Sequence, residues 1–209
     1  MDLFAEIAAE RRALADHLAD LGPEGQRTPS LCAGWTVHHV VAHLVMPMEV
    51  SLPRVVLTML RTVGDYDRAN DRITRRLARR PFAELLGVLR DRADSRFTPP
   101  GQGPDAPLLD VVVHGLDACR PLGRSRDVPP ARLRRVLDHA AGAPKGLAPK
   151  GALAGLRFEA DDLDWAHGAG PGVRGPAQAL LPALTGRAGS LDDLTGDGVP
   201  LLRRRLARS

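Results

Sequence analysis

The 209-residue sequence has few cysteines and no long apolar run, and each shortage excludes a class of protein. Its two cysteines, Cys32 and Cys119, are too few for a disulfide scaffold and fit a reducing, cytoplasmic environment. No apolar run reaches the roughly 18 residues of a membrane span, so we expect no membrane helix and no membrane partner. The stretch 1–14 is acidic and amphipathic, whereas a secretion signal would be basic and then apolar, so we expect no export.

Lysine and aromatic residues are also scarce, which weakens the nucleic-acid interpretation invited by the formal net charge of +4. Lysine occurs only at positions 145 and 150, and many of the arginines alternate with Asp and Glu instead of forming a basic surface. Aromatic residues make up 3% of the chain and offer few stacking platforms for bases. We therefore expect no nucleic-acid partner, although the basic groups Arg132, Arg134, Arg135 and 203–208 keep a nucleic-acid-binding regulator as a third hypothesis.

What is present is an ordinary globular composition, with 44% hydrophobic and 26% charged residues. Apolar residues at helical spacing predict a helix-rich N-terminal part of the chain. The predicted helical regions are 2–21, from Thr36 onward, 49–79 with breaks at Pro53 and Gly64, from Pro81, and 130–141, and the predicted loops are 24–34 and 98–107.

The sequence changes in character after about residue 142, where a segment rich in Pro and Gly begins. The segments 156–160 and 163–168 predict two strands joined by a turn, and a helical pattern follows from residue 176. The predicted fold class is therefore α+β. A helical bundle over 1–142 precedes a small α+β domain over 143–209.

The segment 108–120, LLDVVVHGLDACR, carries a candidate metal-binding pattern. On a helix, Asp110, His114 and Asp117 would share one narrow face, where a carboxylate and an imidazole one turn apart can hold a metal ion. The β-branched residues 111–113 also fit a buried strand, on which Asp117 would leave that face. A structural or solvated role for these polar residues is the alternative to a metal site.

The predicted helix that begins at Thr36 offers a third ligand. His43 lies at the edge of its apolar stripe, although a histidine there can equally be a hydrogen-bonded core residue. His39 and His43 form a rival pair at the same one-turn spacing. The two cysteines show no activating partner in the sequence, so we interpret both as buried apolar residues.

The segments GWTVHHVVAHL (34–44) and DVVVHGLDACRPLG (110–123) resemble two motifs of the mycothiol-dependent maleylpyruvate isomerase family. GPAQALLPALTGR (175–187) is similar to a motif of that family's small C-terminal domain. The family belongs to the DinB-like metal-binding four-helix bundles. The resemblance therefore implies such a bundle followed by a small C-terminal domain across the whole chain.

The resemblance also implies a ligand set and a chemistry. A divalent metal, usually zinc, would be held by His43, Asp110 and His114. Asp117 would be a catalytic or ligand-orienting group, and Arg187 would reach toward the substrate. The thiol mycothiol would be the cosubstrate, its thiolate would attack a small electrophile, and the protein would be a monomer or a homodimer.

Two residues depart from the family pattern, which usually has Glu where Asp110 stands and Asp where His39 stands. The chain is also short for the isomerase itself, which argues against assigning maleylpyruvate as the substrate. The main hypothesis is thus a mycothiol-dependent transferase or isomerase. The shorter Asp110 side chain favours the second hypothesis, a non-catalytic protein that binds a metal or a small ligand.

Overall fold

A computed structural model describes residues 2–142 and 147–207, which form helices and one small sheet. The helices are α1 Leu3–His17, α2 Pro23–Arg27, α3 Val37–Glu49, α4 Leu52–Arg61, α5 Tyr66–Leu77, α6 Phe82–Asp91, α7 Asp105–Cys119, α8 Pro130–Gly142, α9 Ala177–Leu184 and α10 Val199–Leu206. The strands are β1 Arg157–Ala160, β2 Ala166–Gly168 and β3 Gly172–Gly175, and 3₁₀ turns lie at Arg120–Leu122 and Ala188–Asp193. This composition confirms the α+β class predicted from the sequence.

The first compact unit spans Met1–Arg124 and contains a four-helix bundle of α1, α3, α6 and α7. These four helices pack on one another because each buries an apolar stripe, as the helical spacing predicted. The fully buried side chains include Ile7, Leu14, Val40, Val41, Leu85, Leu89, Leu108, Val112 and Leu116. Helix α5 packs against α3, and α4 packs against α5.

Helix α7 settles the helix-or-strand alternative for residues 108–120. Its residues from Leu108 to Cys119 are all buried except Asp110, so the helix is covered on nearly every side. A helix buried on nearly every side keeps only a narrow polar face, and its three consecutive valines then give a strand-like sequence. Tertiary packing against α1 and α3 therefore outweighs the β-propensity of those valines.

The second compact unit spans Ser125–Ser209 and contains a three-stranded sheet in the order β2-β1-β3. Strand β1 pairs antiparallel with β2 and parallel with β3, and Phe158 in β1 is opposite His167 and Val173. Helix α9 packs against β1 and against α8. The bend after β2 requires glycine, because Gly168 has a φ of +80° and a Cβ there would lie 2.3 Å from the Leu156 carbonyl oxygen.

Several element boundaries differ from those that the sequence predicted. The region 49–79 forms two helices, because Val63 and Gly64 both adopt positive φ and reverse the chain, while Pro53 lies in the first turn of α4 and does not break it. A short helix occupies part of the expected loop 24–34, and the third strand, Gly172–Gly175, was not predicted. That strand is flanked by glycines and is too short to show alternation.

The division into units also differs from the expected domain boundary at 142/143. Helix α8 packs on α9 and so groups with the second unit, which places the division after Arg124. The boundary expected from sequence borders residues 143–146, which lie outside the described residues. Among the helices in the described ranges, none is long and apolar enough to cross a membrane.

Helix α3 begins with a cap in which His39 replaces the usual carboxylate. The Nδ1 atom of His39 accepts hydrogen bonds from the Thr36 amide at 3.3 Å and the Thr36 hydroxyl at 2.9 Å. Burial, together with the charges of Arg75 and His38, lowers the pKa of His39, so that the accepting neutral ring is the stable form near neutral pH. The imidazole thus performs the capping-box role of an acidic side chain.

Replacing His39 with Ala should lower the free energy of unfolding by about 1 kcal/mol near pH 7.5, but by clearly less near pH 5.5. As the pH falls below about 6.5, the unfolded chain protonates His39 before the folded chain does, so the wild-type protein loses this stabilisation. Urea unfolding at the two pH values measures the difference. The matched variant His39→Asp should keep the cap at both pH values, and an equal cost of His39→Ala at both would contradict the proposed cap.

Candidate metal centre

Three side chains from α3 and α7 meet inside the first unit. The Nε2 atoms of His43, on α3, and His114, on α7, each lie 3.4 Å from the same oxygen, Oδ1 of Asp110. The two imidazole rings meet edge to face with centroids 4.6 Å apart. The structure therefore brings together the three residues that the sequence resemblance named as ligands, and one ligand atom from each lies within 4.8 Å of the other two.

A second set of hydrogen bonds fixes which ring nitrogen of each histidine faces Asp110. The Nδ1 atom of His43 lies 3.0 Å from the Asn70 side-chain oxygen, and Nδ1 of His114 lies 3.0 Å from Oδ2 of Asp117. Both partners are acceptors, so each Nδ1 carries the proton and donates it. A neutral ring that keeps this proton on Nδ1 carries its lone pair on Nε2, which is the tautomer that a metal ligand needs.

In this tautomer the cluster brings three metal-ligating atoms together. Two lone pairs and one carboxylate oxygen converge, an arrangement that is unfavourable in a buried site unless a cation or a proton lies between them. Ligand atoms about 2.1 Å from a tetrahedral zinc ion lie about 3.4 Å from one another, which equals the two distances to Asp110. The three residues thus fit a divalent metal both in chemistry and in spacing.

The charge states also suit a cation. Burial raises the pKa of the Asp110 carboxyl, but the charge and hydrogen bond of His43, with the charges of His114 and Arg11, outweigh burial and lower it to about 2. Burial lowers the pKa of His114 and favours its neutral form, although the hydrogen bond to Asp117 opposes this shift. At neutral pH Asp110 is therefore ionised and His114 is neutral, which are the ligand forms of both side chains.

The three ligand candidates differ in exposure. The side chains of His43 and His114 are 8% and 11% exposed, whereas that of Asp110 is 36% exposed. The cluster is consequently closed on the histidine side and open to solvent on the carboxylate side. Three protein ligands with one accessible side resemble the catalytic type of zinc site, which keeps a position free for water or substrate.

Sequence reasoning missed two groups that contact this cluster. Asn70 orients His43, but it lies on α5 in a segment with no recognisable motif. The thiol of Cys32 lies 3.0 Å from Oδ2 of Asp117 and 3.6 Å from Nδ1 of His114, whereas the sequence suggested a buried residue without an activating partner. One sequence signal was available, because Trp35 in the loop before α3 belongs to the first family motif. Its ring lies 5.2 Å from the His43 ring, so the loop approaches the site.

The other predicted site residues lie outside the cluster of His43, Asp110 and His114. His39 lies outside the cluster and caps α3, so the rival pair His39 and His43 does not form a ligand set. Asp117 is completely buried and acts on His114, which is an orienting role. Arg187 lies in the second unit, where it is half-buried just after α9 and its Nη1 donates to the Thr185 carbonyl at 2.6 Å.

Fold and site together define the class: a helical bundle with a potential two-histidine, one-carboxylate metal centre, followed by a small α/β unit. Residues 7–119 match the family model described as the mycothiol maleylpyruvate isomerase N-terminal domain. The chain belongs to that family. The comparison with curated proteins finds no match.

Two solved structures share the fold over nearly the whole chain. One is a crystal structure of the mycothiol-dependent maleylpyruvate isomerase, which is 18% identical, with coverage of 94% of this chain and 92% of that chain and a TM-score of 0.63. The other is a mutant of that enzyme with one histidine replaced by alanine, also 18% identical, with 93% and 92% coverage and a TM-score of 0.60. At this identity the likeness establishes the shared fold.

We expect the purified protein to bind about one zinc ion per chain, because the cluster offers one set of three ligands. His43→Ala and His114→Ala should abolish this binding, since each removes a ligand from a three-residue set. His167→Ala is the matched control, because His167 is exposed on β2 in the second unit. Elemental analysis after dialysis measures the stoichiometry, and zinc retained in both ligand variants would show that the ion binds elsewhere.

Asn70→Ala should weaken zinc binding by about 10-fold or more without abolishing it, because Asn70 orients His43 and is not itself a ligand. Competition with a chelator of known affinity measures this change. An affinity equal to that of the wild type would show that the bond between Asn70 and His43 does not contribute to binding.

Proposed function

We propose that this protein is a divalent-metal-dependent enzyme that uses mycothiol as cosubstrate and acts on a small electrophile, as a thiol transferase or an isomerase. The observation that carries the proposal is the convergence of His43, Asp110 and His114, with both imidazole Nε2 atoms 3.4 Å from one carboxylate oxygen. Membership of the mycothiol maleylpyruvate isomerase family supports the choice of thiol.

A divalent cation bound at this centre would lower the pKa of a thiol or water at its open position to near neutrality. The protein's own contribution is to keep the ligands in their binding forms. Asp117 accepts the Nδ1 proton of His114, and Asn70 does the same for His43, so neither ring can rotate without losing a hydrogen bond. The exposed edge of Asp110 leaves room for a ligand beside the cluster.

The shorter carboxylate at position 110 is compatible with this role. Asp110 stands where the family usually has Glu, yet its Oδ1 lies at the same 3.4 Å from both histidines. The missing methylene therefore does not withdraw the carboxylate from the cluster. This geometry removes the shorter side chain as an argument against a metal-dependent enzyme.

Arg187 is proposed as the group that binds a carboxylate of the substrate. A guanidinium offers a planar pair of donors that matches a carboxylate, and Arg187 occupies the end of the GPAQALLPALTGR motif. Its Nη1 bond to the Thr185 carbonyl orients the side chain within the second unit. The substrate class would then be a small electrophile that carries at least one carboxylate.

Zinc-loaded protein incubated with mycothiol and a panel of small electrophiles should yield an S-conjugate or an isomer of at least one compound. Mass spectrometry detects the conjugate, and chromatography detects an isomer of unchanged mass. His114→Ala should be inactive with every compound because it removes a ligand. Zinc-binding protein that converts nothing across a broad panel would favour the non-catalytic binding protein.

Arg187→Gln should reduce kcat/KM for a carboxylate-bearing electrophile by roughly 10- to 100-fold, because a charge-assisted hydrogen bond to the substrate is lost. The rate with a matched uncharged electrophile, such as the corresponding amide, should change little. Arg203→Gln is the control, since Arg203 is an exposed arginine of the same unit that pairs with Asp192. Equal losses on charged and uncharged substrates would contradict the proposed role of Arg187.

A further inference from the structure

We propose that Cys32 is a positioning residue of the metal centre, whose thiol holds the Asp117 carboxylate and, through it, the His114 ring. The inference rests on the metal site proposed above and adds a residue that affects the metal only through Asp117 and His114. Cys32 itself neither binds the metal nor contacts the substrate.

The geometry around Asp117 carries the proposal. Its Oδ2 atom lies 3.0 Å from the Cys32 sulfur and 3.0 Å from Nδ1 of His114, so both groups donate to the same oxygen. The Asp117 side chain is 0% exposed, and a buried carboxylate is costly unless donors surround it. The thiol therefore supplies part of the donor set that keeps this anion in place beside the ring.

The backbone places the thiol at this position with several bonds. The Leu31 amide donates to the Asp117 carbonyl at 3.1 Å, which ties the loop before α3 to α7. The Cys32 amide donates to the Ser30 hydroxyl at 3.2 Å, and the Trp35 amide donates to the Cys32 carbonyl at 3.0 Å. Gly34, with a φ of +75°, closes the turn in a conformation that favours glycine. The thiol position is thus set by the loop, which is itself anchored on Asp117.

Cys32 is connected to the metal centre through Asp117 and His114. Cys32 contacts Asp117, Asp117 accepts the Nδ1 proton of His114, and the other nitrogen of that ring faces Asp110. Without the thiol, the carboxylate would lose a donor, so it could rotate or admit water and the orientation of His114 would loosen. Groups that orient a ligating histidine in this way commonly contribute 10- to 100-fold to metal affinity.

The geometry offers one competing role for the same atoms. Cys32, His114 and Asp117 also place one potential ligand atom each within 4.8 Å of one another. A metal bound there would take the Nδ1 lone pair of His114, which is incompatible with the hydrogen bond from Nδ1 to Asp117. The two roles therefore predict different spectra for a cobalt-substituted protein, since only a thiolate ligand gives a sulfur-to-cobalt charge-transfer band.

The test compares the zinc affinities of full-length Cys32→Ala and Cys32→Ser with that of the wild type by chelator competition at one pH. We expect Cys32→Ala to bind zinc about 10-fold more weakly or worse, and Cys32→Ser to stay within about threefold of the wild type because the hydroxyl also donates to Asp117. Cys119→Ala, which removes the other, buried cysteine, should not change the affinity. Urea unfolding of the metal-free proteins separates a change in affinity from a change in stability.

The outcomes separate this inference from the proposed function. Wild-type protein that binds no zinc would overturn both. Wild-type affinity in Cys32→Ala would overturn the role of Cys32 alone, as would a serine variant that binds as weakly as the alanine variant. A thiolate-to-cobalt band that disappears in Cys32→Ser would also overturn it, because the sulfur would then be a ligand. Rescue of affinity by serine without such a band supports the positioning role.

Discussion

The proposed metal centre depends on keeping two imidazoles and one carboxylate close together in a largely buried place. The Nε2 atoms of both imidazoles lie 3.4 Å from the same Asp110 oxygen, and these groups are favourable together only with a proton or a cation between them. Such a cluster stabilises nothing by itself and is maintained by surrounding bonds and packing. The packing of α3 against α7 brings the two histidines to one carboxylate, and a small change in this helix pair would separate them.

The groups around the cluster explain why it can persist. Asn70 on α5 and Asp117 on α7 each accept the Nδ1 proton of one histidine, and the loop before α3 is hydrogen-bonded to the backbone of Asp117. Three separate parts of the chain thus support two ligand side chains. This is the usual design of a metal site, in which partners of the ligands fix the tautomer and orientation of each ring.

The two compact units are built differently. The bundle supplies a rigid set of ligands on helices, where positions are held by packing in the core. In the second unit, Arg187 follows the short helix α9, and its side chain donates to the Thr185 carbonyl. Helix α9 in turn packs against strand β1 of the small sheet.

The sequence by itself determined the helical spacing of the N-terminal part, the α+β class and the four-residue spacing of Asp110 and His114, because these follow from local periodicity. The family motifs added the prediction that His43 joins them. Only the tertiary structure decided that residues 108–120 form a helix, that His39 caps α3 and that Cys32 and Asn70 support the histidines. The pairs Cys32 with Asp117 and His43 with Asn70 are distant in sequence, and no local pattern specifies such contacts. They depend on how helices pack, which is decided by the whole core and not by any one segment.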